Sequence, residues 1–274
     1  MTTPYQHQRQ PLGYVSPIPV RRATLSDAVA SEWTKLRSLR STMWTLGALI
    51  FLIVTVGVLA AVISNATSST DEDALSLGFS GVLLSTICVM TLGVLTMTAE
   101  YGTGMIRTTL TACPSRARVL AAKSLVFFLL VFAITTLTTG IVGALQTTIM
   151  DVPSAGGERW FRATAGVGLY LALLGLLSLA VGVLIRHSAG AITIMIGVVL
   201  LPLVMALFMV SDGLSGLRDA LFEYSVPSQL AVFYDNSVGP AGEGPTGWDP
   251  LWIMLAVTLA AMVGAFFALD RRDV

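Results

Sequence analysis

Six long apolar runs, none containing Asp, Glu, Lys or Arg, constrain the fold of this chain more than any other feature. They cover residues 43–63, 78–98, 124–149, 163–185, 189–210 and 251–269. A helix needs about 20 apolar residues to cross the hydrocarbon core of a bilayer, so each run is long enough. Only 12% of the residues are charged, whereas a soluble domain carries about 25%. The sequence therefore predicts an all-α membrane protein with six transmembrane helices.

The charges between the runs predict the orientation of the chain. Of the 16 lysines and arginines, three lie in the loops that follow the first, third and fifth runs, namely Arg159, Arg162 and Arg218. The others lie in the N-terminal region, in the loop 99–123, at Arg186 and in the C-terminal tail. Because cytoplasmic loops carry the excess of basic residues, we expect both termini to be cytoplasmic in a multi-pass protein of the plasma membrane.

Two segments precede the first run. Residues 1–23 contain four prolines and show no hydrophobic period, so we expect a disordered cytoplasmic tail. Residues 24–40 show the pattern of an amphipathic interfacial helix, in which Thr24 and Asp27 form a capping pair. Its basic C-terminal end suits anionic headgroups, which makes membrane lipid an expected partner. It could serve simply as a positively charged flank that orients the first span, or it could also touch a partner protein.

The rest of the chain, residues 41–274, is predicted to be one six-helix transmembrane domain. Its outer loop 211–250 has helical spacing up to a break at Pro227. Its cytoplasmic loop 99–123 is both charged and interrupted. That loop contains Glu100, Arg107, Pro114, Arg116, Arg118 and Lys123. The proline can start a short new helix, which should expose the two arginines that follow it and turn Val119 and Leu120 towards the bundle. We interpret the loop as a contact surface; alternatively, its arginines only keep it inside.

No residue pattern indicates catalysis or a bound cofactor. The sequence Gly-Phe-Ser-Gly at 78–81 has the form seen in rhomboid proteases, but Ser80 and His187 are predicted at opposite ends of their spans. The chain lacks the glycine-rich loop that wraps phosphates and any metal-binding spacing, and Cys88 and Cys113 form no CxxC pair. We therefore expect a non-enzyme without its own cofactor or metal. A net charge of zero gives no indication of nucleic-acid binding.

The absence of charged residues from the six runs is relevant to the energy source that could drive transport. Ion-coupled transporters and channels usually place ionisable groups within the membrane, where they bind and release the coupling ion. An energy source outside the membrane is the simpler hypothesis. An ion-gradient-driven transporter or channel that uses backbone carbonyls and hydroxyls remains an alternative, as does a non-transporting anchor or sensor subunit.

The charged loop resembles a known pattern. Glu100-Tyr101-Gly102-Thr103, followed by Pro114-Ser115-Arg116 and Ala122-Lys123, is similar to the E-x-G-T, P-x-R and G/A-K pattern of ABC exporter permeases of the second exporter type. The segment from Ser31 to Ser38 resembles the helix that precedes the first span in that family, and the end of the chain, Arg271 to Val274, resembles its usual ending. The resemblance covers essentially the whole chain from Thr24. Cys113 and the Met105-Ile106-Arg107 stretch depart from the common form.

The resemblance implies a transmembrane permease subunit of an ATP-binding-cassette exporter. ATP would bind to a separate ATPase subunit, and the permease would pair with a second copy of itself or with a similar permease. The residues implied in ATPase contact are Glu32, Lys35, Arg37, Glu100, Gly102, Thr103, Arg107, Pro114, Arg116, Arg118 and Lys123. It also suggests a pair of short re-entrant or membrane-lying helices in the outer loop. The cargo is not identified; the composition of the spans favours an apolar or amphipathic compound.

Overall fold

The computed structural model describes residues 24–67, 73–113, 115–153, 155–209, 211–236 and 244–271. The predicted tail 1–23, Pro114 and the last three residues lie outside this part of the chain. The described helices are α1 (Leu25–Ser38), α2 (Arg40–Ala66), α3 (Gly78–Thr103), α4 (Met105–Ala112), α5 (Arg116–Met150), α6 (Gly157–Phe161), α7 (Val167–Ile185), α8 (Ser188–Phe208), α9 (Ser215–Glu223), α10 (Val226–Val232) and α11 (Asp249–Arg271). A 3-10 turn, Ala74–Leu77, precedes α3, and a π-helical turn, Arg162–Gly166, joins α6 to α7.

In the part of the chain that the structure describes, six continuous helical segments are long and apolar enough to cross a membrane, which confirms the predicted fold. They are Arg40–Ala66, Ala74–Thr103, Arg116–Met150, Gly157–Ile185, Ser188–Phe208 and Asp249–Arg271. Several of these segments are longer than the apolar runs predicted from the sequence. The third has 35 residues, or about 52 Å at 1.5 Å per residue, whereas the hydrocarbon core is about 30 Å thick. The first turns of α5 therefore have length to project beyond the membrane core.

Contacts between helix ends show that α3, α7 and α11 run in one direction and α5 in the other. Arg116, at the start of α5, donates a hydrogen bond to the carbonyl oxygen of Leu269, at the end of α11, over 2.6 Å. The guanidinium carbon of Arg186, just after α7, lies 5.0 Å from the ring centre of Tyr101, near the end of α3. This end of the bundle also carries α4, and we call it the α4 end.

Ion pairs mark the opposite end, which we call the α10 end. Asp235, which follows α10, accepts hydrogen bonds from Arg159 over 2.8 Å and from Arg162 over 3.1 Å. Arg159 also pairs with Asp73, which precedes α3. These contacts join three connecting segments of the chain at the end of the bundle away from α4.

Helix α7 lies at the centre of the bundle. A buried face of small residues lets α3 approach it closely. A Cβ atom added at Gly93 of α3 would lie 2.3 Å from the carbonyl oxygen of Gly175, and one added at Gly182 would lie 3.1 Å from that of Val94. The face of small residues formed by Gly175, Ser178 and Gly182 is therefore a packing surface.

The segment after α8 folds back into the bundle. Pro227 interrupts the helical pattern as predicted, but it is also the second residue of α10, whose N-cap is Ser225. Leu230 and Ala231 of α10 are fully buried. The ring centre of Phe233 lies 5.7 Å from that of Tyr170 on the central helix. The pair α9 and α10 thus agrees with the short helices that the resemblance suggested, and α10 packs within the bundle.

Candidate functional site: a buried ionic cluster beneath α4

Helix α1 is fixed by its local sequence. The side chain of Thr24 accepts a hydrogen bond from the backbone of Asp27, and the Asp27 carboxylate accepts one from the backbone of Thr24. This reciprocal capping satisfies two backbone donors at the helix start and confirms the predicted capping pair. Leu39 has extended backbone angles that end α1 and start α2. The two helices are therefore distinct elements that meet at Leu39.

Four charged side chains from three helices meet at the α4 end, and we call them the ionic cluster: Glu32 and Lys35 of α1, Glu100 of α3 and Lys123 of α5. The Lys123 ammonium nitrogen lies 2.6 Å from Glu32 Oε2 and 2.8 Å from Glu100 Oε1. The Lys35 nitrogen lies 2.6 Å from Glu32 Oε1 and 3.0 Å from Glu100 Oε1. Each ammonium thus bridges both carboxylates, so the three helices are held in one register.

The ionic cluster is buried and balanced in charge. Glu32 is 2% exposed, Glu100 4% and Lys123 2%. Taking such groups out of water costs several kcal/mol per ion, and pairing regains it only with good geometry. Burial lowers the pKa of Lys35, but hydrogen bonds and charge attraction from Glu32 and Glu100 outweigh this, so its pKa lies above the ordinary value. The pairing therefore favours the charged form of Lys35. Because burial of the four charged groups is costly, the cluster fixes the positions of the helices more than it adds to the free energy of unfolding.

The cluster also reaches α4. Lys35 donates a third hydrogen bond to the Thr109 hydroxyl over 3.1 Å, and Ile106 of α4 is buried against the bundle. Helix α3 ends at Thr103, and Gly104 has a φ of +71°, a conformation that glycine adopts without steric cost. The break makes α4 a separate short helix, so Glu100 and Arg107 lie on different helices.

The predicted contact residues separate into two groups. Gly102, Thr103 and Arg107 are exposed. In contrast, the charged heads of the ionic cluster bind one another in the interior. The exposed group is accessible at the surface of the protein, whereas the charged groups of the cluster are enclosed.

The expectation that Arg116 and Arg118 are exposed is wrong. Both side chains are half-buried, and Arg116 bonds to carbonyl oxygens at the end of α11, where the last backbone acceptors of a helix need donors. Val119 and Leu120 are buried, as expected. The region also forms no separate short helix, because Ser115 caps α5 directly and the helix runs on through the membrane.

Arg37 lies on a different side of α1 from Lys35. Two helical positions turn by about 200°, and Lys35 faces the cluster and α4. Arg37 is exposed and therefore points away from them. The expectation that Arg37 contacts an ATPase subunit stays a prediction.

Sequence reasoning missed two contributors to the site. Thr109 carries no charge and is not one of the motif residues, so nothing distinguished it. Arg186 was interpreted only as a basic residue of a short turn; its φ of +58° directs it over Tyr101, a cation–π contact. In the sequence, Glu32 and Lys35 are spaced to pair on one helix, which was a usable signal for part of the cluster.

The residues considered for catalysis do not come together. Ser80 is in the first turn of α3 near the α10 end, whereas His187 caps α8 at the α4 end and accepts a hydrogen bond from the backbone of Gly190. Among the described residues no group of three His, Cys, Asp or Glu could hold a metal. Cys88 and Cys113 are not joined in a disulfide.

The fold and site define a polytopic α-helical membrane protein with a helical loop anchored on its spans. A family model described as ABC-2 family transporter protein matches residues 28–203, which include most of α1, the ionic cluster and most of the first five spans. The chain therefore belongs to the ABC-2 transporter family and is a multi-pass transmembrane permease. Permeases of this family are the membrane components of transporters and work with an ATP-binding subunit. No curated protein matches the chain.

Proposed function

We propose that this chain is the membrane subunit of an ATP-driven exporter in the plasma membrane, with both termini and the α4 end in the cytoplasm. A separate ATPase subunit binds at α4 and moves the spans. The observation that supports this most strongly is the ionic cluster, which holds α1, α3 and α5 together and reaches α4 through the hydrogen bond from Lys35 to Thr109. A loop that only kept its charges inside would not need such an anchor.

The docking surface consists of the exposed residues around the α3–α4 break. Among the described residues, a Cβ added at Gly102 or Gly104 would meet no atom within 4 Å, so a partner backbone has room to approach. Arg107 is exposed and forms no ion pair in the described part of the chain. A carboxylate on the ATPase would complement it.

Motion of α4 would reach the spans through three contacts. Lys35 of α1 connects α4 to the end of α3, and Lys123 of α5 binds the same two carboxylates as Lys35. Arg116 connects α5 to the end of α11. Arg186 connects α3 to the turn between α7 and α8. Closure of the ATPase would thus displace this end of the bundle as a rigid body and switch the side on which the pathway opens.

The chain itself has no nucleotide-binding motif. It has no phosphate-binding loop, so ATP binds on the partner and the permease holds no cofactor. A second permease copy completes the pathway, as the resemblance implies. The spans favour an apolar or amphipathic cargo.

Co-purification tests the proposal. The tagged chain, extracted from its native membrane in mild detergent, should bring a P-loop ATPase at about one copy per permease. Arg107→Glu should abolish this association, whereas Arg218→Glu, which changes a half-buried arginine in the outer loop, should retain it. If both variants retain the ATPase, the proposed docking surface is contradicted.

Functional reconstitution separates the two alternatives. Ion-gradient-driven flux in proteoliposomes that contain this chain alone would indicate a secondary transporter or channel. An ATPase that binds but whose turnover the permease never alters would indicate an anchor or sensor. The exporter predicts neither result.

A further inference from the structure

Two Arg–Trp pairs lie on either side of the break between α1 and α2. Trp33 and Arg37 are four residues apart in α1, and Arg40 and Trp44 are four residues apart in α2. Residues with this spacing share one helix face. Trp33 is 48% exposed and Trp44 81% exposed, and both arginines are exposed. Each helix therefore presents an indole beside a guanidinium next to Leu39.

The chain itself places these pairs at the membrane boundary. Arg40 is the first residue of the first span, so its guanidinium lies close to the level of lipid headgroups, and Arg37 lies one helical turn before it. Tryptophan is enriched at this level, because its ring is apolar and its N–H can bond to the polar layer. The described part of the chain offers neither guanidinium a carboxylate partner.

This surface is distinct from the proposed ATPase surface. Arg37 and Trp33 lie on the flank of α1 away from Lys35, and Lys35 is the residue that contacts α4. The opposite flank thus remains for a different ligand. Two cations in the headgroup layer that pair with no carboxylate of the described residues are complementary to a phosphate that carries a net negative charge.

We propose that Trp33, Arg37, Arg40 and Trp44 bind the headgroup of an anionic phospholipid. The two guanidinium groups donate to the phosphate, and the two indoles flank the headgroup and the first part of its acyl chains. The bound lipid bridges α1 and α2, which otherwise meet through Leu39. It thereby sets the angle of α1, the helix that carries half of the ionic cluster.

Tryptophan quenching by brominated lipids tests the site. The purified chain in detergent micelles receives dibromo-phosphatidylglycerol or dibromo-phosphatidylcholine, and the fluorescence is followed against the mole fraction of lipid. We expect the anionic lipid to quench at a lower mole fraction, by on the order of fivefold for each arginine. The preference should disappear when Trp33 and Trp44 are both replaced by Phe, since the other tryptophans lie elsewhere.

Matched variants distinguish lipid binding from general charge effects. Arg37→Gln with Arg40→Gln should abolish the preference, the corresponding Lys variants should retain most of it, and Arg107→Gln, an exposed arginine at the same end, should leave it unchanged. Equal quenching by both lipids in the wild type would overturn the proposal. So would loss of the preference in excess inorganic phosphate, which would indicate a site for free phosphate.

Discussion

Removal of one ammonium from the ionic cluster should destabilise the protein strongly. Lys123→Met keeps the length of the side chain but leaves two buried carboxylates facing one remaining ammonium. Lys123 forms contacts of 2.6 Å and 2.8 Å, and its side chain and those of its partners are at most 5% exposed. Loss of one partner of a buried pair costs about 3–5 kcal/mol. Because two contacts are lost together, we expect a value in the upper half of that range.

A double variant tests whether the cost is electrostatic. Glu32→Gln combined with Lys123→Met restores charge balance, because Lys35 then faces Glu100 alone. The double variant should therefore be more stable than Lys123→Met by about 1–3 kcal/mol, the range of coupling energies between interacting residues. If disturbed packing alone caused the loss of stability, the double variant would instead be less stable than Lys123→Met.

The free energy of unfolding can be measured in mixed micelles with a denaturing detergent, with the helical signal as readout. Arg107→Met is the control, since it removes an exposed cation at the same end and should change stability by no more than about 0.5 kcal/mol. If Lys123→Met and Arg107→Met lose the same free energy, the ionic cluster does not hold the helices as argued.

Two further predictions concern the cluster and the bundle core. The folded-state pKa of Lys35 lies above its ordinary 10.5, so its contribution to stability is fully present below that pH and is lost as the pH rises through the folded-state pKa. The unfolding temperature should therefore decline in this alkaline range, and Lys35→Met should show a smaller decline. Gly93→Ala should cost about 1–3 kcal/mol by overpacking, because the new Cβ would lie 2.3 Å from the Gly175 oxygen. Gly47→Ala meets no described atom within 4 Å and should be neutral or stabilising by up to about 1 kcal/mol; equal losses in both glycine variants would contradict the close crossing.

The spans could be predicted from the sequence because the bilayer imposes a length and excludes charge from it. The runs at 43–63 and 251–269 were identified on that basis alone, and the helices that contain them extend a few residues further at each end. Helix ends are less predictable, because they depend on local capping. Gly104 divides the loop by its left-handed backbone, which a single sequence does not distinguish from a flexible glycine.

The residues of the site could be predicted from the sequence, but the contacts that they make with one another could not. Glu32, Lys35, Glu100 and Lys123 were all singled out, but as contacts for another protein. They lie up to 91 residues apart in the chain, and no local pattern shows that long-range partners satisfy each other's charge. A charged residue in a loop is usually solvated, so burial of the pairs becomes visible only once α1 is seen to pack on α5.

The most direct test of the account is the distance between α1 and α4. In a chain without its native cysteines, spin labels at Ser31 and Thr108, one on each helix, report how rigidly the ionic cluster joins the two. We expect one narrow distribution of the distance between the two labels for the wild type and for the outer-loop control Arg218→Met. Lys123→Met should give a broad distribution. Distributions of equal width in all three would show that the cluster does not couple α1 to α4.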